Sequence, residues 1–291
     1  MYRDQAEQLR KNMQVNDKYS HGERATVISV ISGKGGVGKS NVTLNFALTL
    51  GQQNKSVLII DLDIGMGNID ILLGHQSRHS IVELFEQRLS IQDIIEHTPN
   101  NISYISGGSG LSTLFQMSEQ KLSYFLDQFG WLLSSYDYIF LDMGAGVTSD
   151  SLSFILSADH CFVVTTPEPT AMMDAYAMMK HVHQQNKELP FYLLINRAES
   201  IREGRKALAR LQAVSERFLG KSIEYLGILL YDKVVSRAVI KQVPFTRFAP
   251  NASVSKQLKQ IVSVYLSESQ PANQKVEHTF IAKFKSFFTE R

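Results

Sequence analysis

Cysteine is nearly absent. Cys161 is the only one in 291 residues, so no internal disulfide can form, and no zinc-ligand spacing exists. That excludes a disulfide scaffold and points to a cytosolic or compartment-neutral chain. Cys161 sits in the apolar run of residues 160–164, where a free thiol is expected to be a small buried hydrophobe. Net charge is also scarce: 30 Lys and Arg against 28 Asp and Glu leave +2. So weak a field does not predict nucleic-acid binding, which would need a local basic patch. No apolar run approaches the ~18 residues of a spanning helix. The opening MYRDQAEQLRKNMQ has no apolar signal region. The expectation is a chain that neither crosses a membrane nor is exported, although it can lie on one. Apolar residues are not lacking, at 44%, which is enough for a packed core. The length suits one large α/β domain or at most two smaller ones.

Residues 1–24 are polar and read as a short helix and a linker. Residues 25–31 form a β-branched run, as in a strand buried on both faces. Strands are then expected at 56–60, 102–105, 138–141, 160–165, 191–195 and 225–229. Helices are expected at 39–51, 80–97, 111–134, 149–158, 170–186, 202–219 and 253–268. Residues 269–276 read as a polar linker and 277–291 as a separate helix. This alternation predicts a doubly wound, mostly parallel sheet with helices on both faces, spanning residues 25–268.

After the first strand, Gly33, Lys34, Gly35, Gly36, Val37, Gly38, Lys39 and Ser40 match G-x-x-x-x-G-K-[ST], with Asn41 opening the following helix. The glycines let backbone N–H groups turn toward phosphates, and the helix start favours the same anion. Lys39 would contact the β- and γ-phosphates and Ser40 would ligate Mg²⁺. A lysine directly after the first glycine makes the loop resemble the deviant Walker A motif of the SIMIBI class, which includes the ParA/MinD ATPases and nitrogenase iron protein. The resemblance implies that Lys34 crosses a homodimer interface to the partner's nucleotide. An iron–sulfur reductase is excluded, because one cysteine cannot ligate a bridged cluster.

Asp61 and Asp63 end the second strand, where ligands sit in such sheets. The stretch from there to Gly67, Asn68 and Asp70 resembles switch I of MinD-type proteins. That implies Asp63 orients or deprotonates the attacking water and Asp61 supports the Mg²⁺ shell. Asp142, in Asp-Met-Gly-Ala-Gly, resembles Walker B with switch II and would bind Mg²⁺ through water. Asn196-Arg197 ends a later strand and matches the family's base-binding pair. Asn196 can read both N6 and N7 of adenine, favouring ATP, while Arg197 stacks; the plainer alternative for Asn196 is a helix cap.

In the tail, Phe280, Ile281, Phe284, Phe287 and Phe288 share one helical face, flanked by Lys283 and Lys285. Exposing such rings costs ~1.5–3 kcal/mol each. The face must be buried, either on an anionic membrane surface or on the protein's own core. The tail resembles the targeting helix of MinD. The two readings coexist if the helix is docked in a monomer and freed in an ATP dimer.

Asp4, Gln5, Ala6, Leu9 and Arg10 resemble the D-Q-A-x-x-L-R element of the FlhG (YlxH/FleN) flagellar branch of the MinD group. There it stimulates FlhF, a GTPase of the signal-recognition-particle type. In the basic helix at 202–219, Leu208, Leu211, Val214 and Phe218 are expected to face inward. Arg202, Lys206, Arg210 and Arg217 face outward, either solvated or docking an acidic partner such as a flagellar switch-complex (C-ring) protein. The resemblance thus implies a Mg-ATP-driven, homodimerising, membrane-associated ATPase that regulates flagella. The rivals are a septum-placing MinD, a DNA-partition ParA and an inert nucleotide-binding adaptor.

Overall fold

In the computed structural model of the chain, residues 25–63, 67–98, 102–108, 119–146, 149–268 and 280–289 are described. The N-terminal element at residues 4–10 and the linker at 269–276 lie outside them. The strands are β1 (Thr26–Ile31), β2 (Val57–Leu62), β3 (Glu96–Thr98), β4 (Ile102–Ile105), β5 (Tyr138–Met143), β6 (His160–Thr165), β7 (Phe191–Ala198) and β8 (Glu224–Leu230). They form one sheet in the order β3-β4-β2-β5-β1-β6-β7-β8. All pairings are parallel except β3 with β4.

Residues alternate between the two faces along each strand, and the core splits accordingly. Val27, Leu58, Ile139, Cys161 and Leu193 face one side. It is covered by α3 (Ile81–Glu86), α4 (Glu119–Ser135), α5 (Ser149–Ser157), α6 (Pro169–Gln185) and α7 (Ile201–Leu219). Ile28, Val57, Phe140, Phe162 and Leu194 face the other. There they meet α1 (Lys39–Gly51), α2 (Ile69–Leu73), α8 (Lys233–Ile240), α9 (Phe245–Phe248) and α10 (Ser253–Glu268). Burial on both sides is why the strands read as unbroken apolar runs. The chain leaves β1 toward β2, then crosses back over β1 to reach β6. The loops after β1, β2 and β5 therefore open together where the winding reverses, the usual place for a ligand in an open α/β sheet.

Two expectations need correction. Residues 80–97 are not one helix: α3 ends at Glu86, a 3₁₀ turn covers Ile91–Ile94, and β3 follows as an antiparallel edge strand. Two separate helix starts explain this. The Ser80 amide donates to Glu83 at 2.6 Å and the Ser90 amide to Asp93 at 3.0 Å, both capping-box bonds. Between them Arg88 takes a left-handed φ of 54°, which ends the first helix. Ile91, Ile94 and Ile95 are spaced to continue the face of α3 but are buried from the 3₁₀ turn and the residue after it. Phe218 does not face inward; it is 65% exposed, with the Arg217 guanidinium 5.3 Å above its ring. The buried stripe of α7 runs instead through Gly204, Ala207, Leu211 and Ser215. Small residues bring that helix close to the sheet: a Cβ on Gly204 would stand 2.5 Å from Ile228. For residues 111–134, description begins within α4, at Glu119.

The tail forms α11 (Phe280–Thr289), within the helix expected at 277–291. Its phenylalanine face is turned into the protein. Phe280 and Phe284 are 0% exposed. Phe280 stacks on Phe129 with centroids 4.4 Å apart, and Phe284 meets Phe154 at 4.6 Å and Phe125 at 6.0 Å. Ile281 and Phe287 are half-buried against the same cluster. Lys283 donates to the carbonyl of Ala158 at 3.4 Å and lies 3.6 Å from Asp159, while Lys285 is exposed. Ten residues are too few for a stable helix in isolation, so packing between α4 and α5 holds it. Of the two burial options, own-core docking is the one seen; the Phe288 side chain lies outside the described residues.

Cys161 is fully buried, and burial pushes its thiol up to about 12. It should therefore stay protonated and unreactive toward a thiol reagent at pH 8, and react at once in denaturant. Phe129→Ala should cost ~3–5 kcal/mol in a urea titration. Phe280→Ala should cost less, because undocking of the whole tail helix caps its loss.

Candidate nucleotide site

The strand β1 delivers the chain straight into the phosphate loop, and α1 leaves it. Gly36 and Gly38 have φ of 80° and 91°, a region closed to most L-residues. Gly33 is required for a different reason. A Cβ there would lie 2.1 Å from the Asp174 carbonyl carbon, so the loop is braced directly on the backbone of α6. At Gly38 a Cβ would stand 2.6 Å from the Asn196 amide nitrogen. That nitrogen donates to the carbonyl of Val37 at 2.8 Å, and Asn196 Oδ1 accepts from the Arg197 amide at 3.0 Å. Asn196 thus ties the loop to the end of β7. Arg197 follows with a left-handed φ of 57° and is exposed.

The two loop lysines have opposite environments. Lys39 is 6% exposed and donates to Asp142 Oδ1 at 2.7 Å. Thr43, one turn further along α1, donates to the same oxygen at 3.2 Å. Lys34 is 46% exposed; it lies 3.6 Å from Glu168 and 3.4 Å from the Thr170 hydroxyl. A pair that exposed contributes little, under about 1 kcal/mol. Lys34 is therefore only loosely held at the outer rim, while Lys39 is committed to the floor.

Asp61 and Asp142 are direct neighbours in the sheet register, both buried. Asp61 accepts backbone N–H bonds from Asp63 at 3.0 Å, Asn68 at 2.8 Å and Ile69 at 3.2 Å. Burial, aided by the Asp142 charge, nonetheless pushes its carboxyl up to about 7. Asp63 is half-buried and beside Gly144 of the loop after β5: a Cβ on Gly144 would meet its Oδ1 at 3.1 Å. Burial raises the Asp63 carboxyl, with Lys39 pulling the other way and Asp142 adding to the rise. A raised carboxyl suits a group that handles a proton.

A hard divalent cation such as Mg²⁺ fits these donors. Asp142 Oδ2 is fully buried and has no partner among the described residues. Ser40 opens α1 beside Lys39. Among the described residues no three or more Asp, Glu, His or Cys side chains are placed to hold a metal ion by themselves. A cation here would depend on phosphate oxygens as well, as Mg²⁺ in nucleotide sites does. Next to the loop a cavity of about 380 Å³ is lined by Asn41, Val42, Asn196, Arg197, Val235 and Ile240 among others. Its size and apolar walls suit a base and ribose.

The structure thus gathers Gly33–Ser40, Asn41, Asp61, Asp63, Asp142, Asn196 and Arg197 at the C-terminal ends of the strands. Sequence reasoning missed Thr43, Glu168, Thr170 and the α8 wall of the cavity. Thr43 had a signal, since it stands four residues after Lys39 on one helix face. The α8 wall had one too, since Lys233–Ile240 is amphipathic along its eight residues.

Comparisons with known proteins agree with this geometry. Residues 23–264 match the ParA family, described as a NUBPL iron-transfer P-loop NTPase. The chain is 32% identical over 247 residues to the antiactivator FleN of Pseudomonas aeruginosa, covering 85% of this chain and 88% of that one. It is 33% identical over 243 residues to the flagellum site-determining protein YlxH of Helicobacter pylori, covering 83% and 82%. Its fold matches the septum site-determining protein MinD of Pyrococcus horikoshii, solved with Mg-ADP. The TM-score is 0.68 over 86% of this chain and 99% of that one, at 21% identity.

Lys39→Ala should destabilise the fold by ~3–5 kcal/mol in urea, because it leaves a buried carboxylate without its cation. Adding Asp142→Ala should recover part of that loss in a double-mutant cycle. Gly33→Ala should abolish nucleotide binding measured by calorimetry.

Proposed function

The chain belongs to the ParA/MinD family of P-loop ATPases, in its FleN/YlxH flagellar branch, and from that premise we propose that it is an ATP-driven dimerising switch on the inner face of the cell membrane that sets flagellar number and placement. The observation that carries this is the split between the two loop lysines. Lys39 is sunk on Asp142, whereas Lys34 stands at the rim with only weak surface contacts. A cation so placed is free to reach a nucleotide held by a second copy. It would neutralise developing phosphate charge there as an arginine finger does.

In that reading Lys39 turns from Asp142 to the phosphates as they enter, which frees Asp142. Mg²⁺, once bound with the nucleotide, neutralises phosphate charge, and Ser40 and Asp142 would hold it. Asp63 orients the attacking water and accepts its proton. Asn196 braces the loop and presents its edge to adenine, with Arg197 covering the base. The iron transfer named in the family description has no support in this chain, whose only thiol is buried and protonated.

The membrane is approached by the tail. Its docking on α4 and α5 supports a stored anchor: α5 begins just beyond the switch loop at Asp142–Gly146, so a loop closing on a γ-phosphate would strain the groove holding Phe280 and Phe284. Two tails per dimer bind a vesicle more tightly than one by avidity alone. Residues 4–10 would stimulate an FlhF-type GTPase. The outward face of α7, with Arg202, Lys206, Arg210 and the exposed Phe218, suits an acidic segment of a flagellar switch-complex protein.

With Asp63→Ala to block turnover, light scattering in saturating Mg-ATP should give a dimer, and Lys34→Ala in the same background a monomer. Persistent monomer in both would end the proposal. The dimer should float with anionic liposomes, and Phe284→Glu should stop flotation without stopping dimerisation.

A further inference from the structure

Two buried carboxylates stand side by side at the ends of β2 and β5, and they are satisfied in different ways. Asp142 is met by side chains of α1: Lys39 and Thr43 share its Oδ1, and its Oδ2 has no partner among the described residues. Asp61 receives no such side chain among the described residues. Its Oδ1 accepts from the Asp63 amide, and its Oδ2 from the amides of Asn68 and Ile69. Neither of its oxygens is left without a partner. The backbone also closes on it: a Cβ on Gly67 would lie 3.3 Å from Oδ2, and one on Gly107 would lie 2.8 Å from the Asp61 carbonyl oxygen.

These contacts bind both ends of one loop. Asp63 stands at its start and Asn68–Ile69 at its finish, where α2 begins. One carboxylate thus fastens the two ends to the rigid terminus of β2. Charge-assisted bonds of this kind are about twice as strong as neutral ones, and a buried position strengthens them further. A loop fastened only by its covalent ends would leave the Asp63 side chain free to sweep, and small misplacements of a reacting group cost rate steeply.

We infer that Asp61 is a positioning residue, a clamp that holds the loop so that Asp63 faces the water to be activated, and that the buried oxygen left open for a cation is Asp142 Oδ2. This deepens the ATPase reading and rests on it. It replaces the expectation that Asp61 supports the Mg²⁺ shell. Three N–H groups meet this carboxyl although it is buried beside a second acid.

The test compares wild type with Asp61→Asn in steady-state ATP hydrolysis, titrating ATP and Mg²⁺ separately. Asparagine keeps one carbonyl oxygen but puts an NH₂ group against backbone donors. The clamp predicts a fall in kcat of at least tenfold, with half-saturating ATP and Mg²⁺ unchanged within about twofold. A rise of tenfold or more in half-saturating Mg²⁺ would overturn it in favour of a metal-shell role, and unchanged kinetics would overturn it too. Amide hydrogen exchange of the wild-type full chain is the second arm and does not need the variant to fold. Asn68 and Ile69 amides should be protected, and in Asp61→Asn they should lose protection while those of β2 and β5 keep it. Free exchange of both amides in wild type would sink the inference. If wild type hydrolysed no ATP, the ATPase reading would fail, and the exchange arm would still decide the clamp.

Discussion

The buried pair between Lys39 and Asp142 is the constraint on which the site depends. Two charges taken out of water are tolerable only when they face each other and are further hydrogen-bonded, and here Thr43 supplies the extra donor. The pair fastens the phosphate loop to β5, and through it the first turn of α1 to the centre of the sheet. It also explains why a loop rich in glycine, which loses much entropy on ordering, keeps one shape. Asn196 from β7 and the backbone of α6 against Gly33 complete the bracing from the other side.

Around that fixed floor the structure grades its groups by how firmly they are held. Asp61 is clamped by three amides, Asp63 is half-buried beside Gly144, and Lys34 is at the rim. Gly146, with φ of 88°, gives the loop after β5 a pivot. The cradle is held firmly and the groups around it less so, the order that the proposed γ-phosphate switch requires. The aromatic groove holding α11 lies on the sheet face covered by α5, the helix that follows this loop. The loop that carries Asp142 and the groove that holds the tail are therefore joined through α5.

Much of the fold was legible in the chain because burial on both sheet faces writes β-branched runs that a half-exposed strand would not. The site was legible for a related reason: phosphate binding restricts residue types over eight consecutive positions, so Gly33–Ser40 carries its chemistry in one short string. Residues 80–97 show the opposite case. There two capping boxes ten residues apart fall within a single apolar periodicity, and only three-dimensional packing separates Ile91 and Ile94 from α3. Phe218 shows it again, since helical spacing cannot tell which of two adjacent stripes a sheet will accept when one is made of glycine and alanine.

By itself the sequence determined the parallel α/β architecture, the phosphate loop, the acids that follow β2 and β5, and a phenylalanine face that had to be covered, because each rests on local spacing or on composition. Only the tertiary structure decided what each group touches. Asp61 meets a backbone only a few residues away, through a loop shape that no period encodes, whereas Lys39 on its acid and the tail on its own core are contacts between segments more than a hundred residues apart. Such contacts are chosen by the packing of the whole sheet and its helices, and no local period records them.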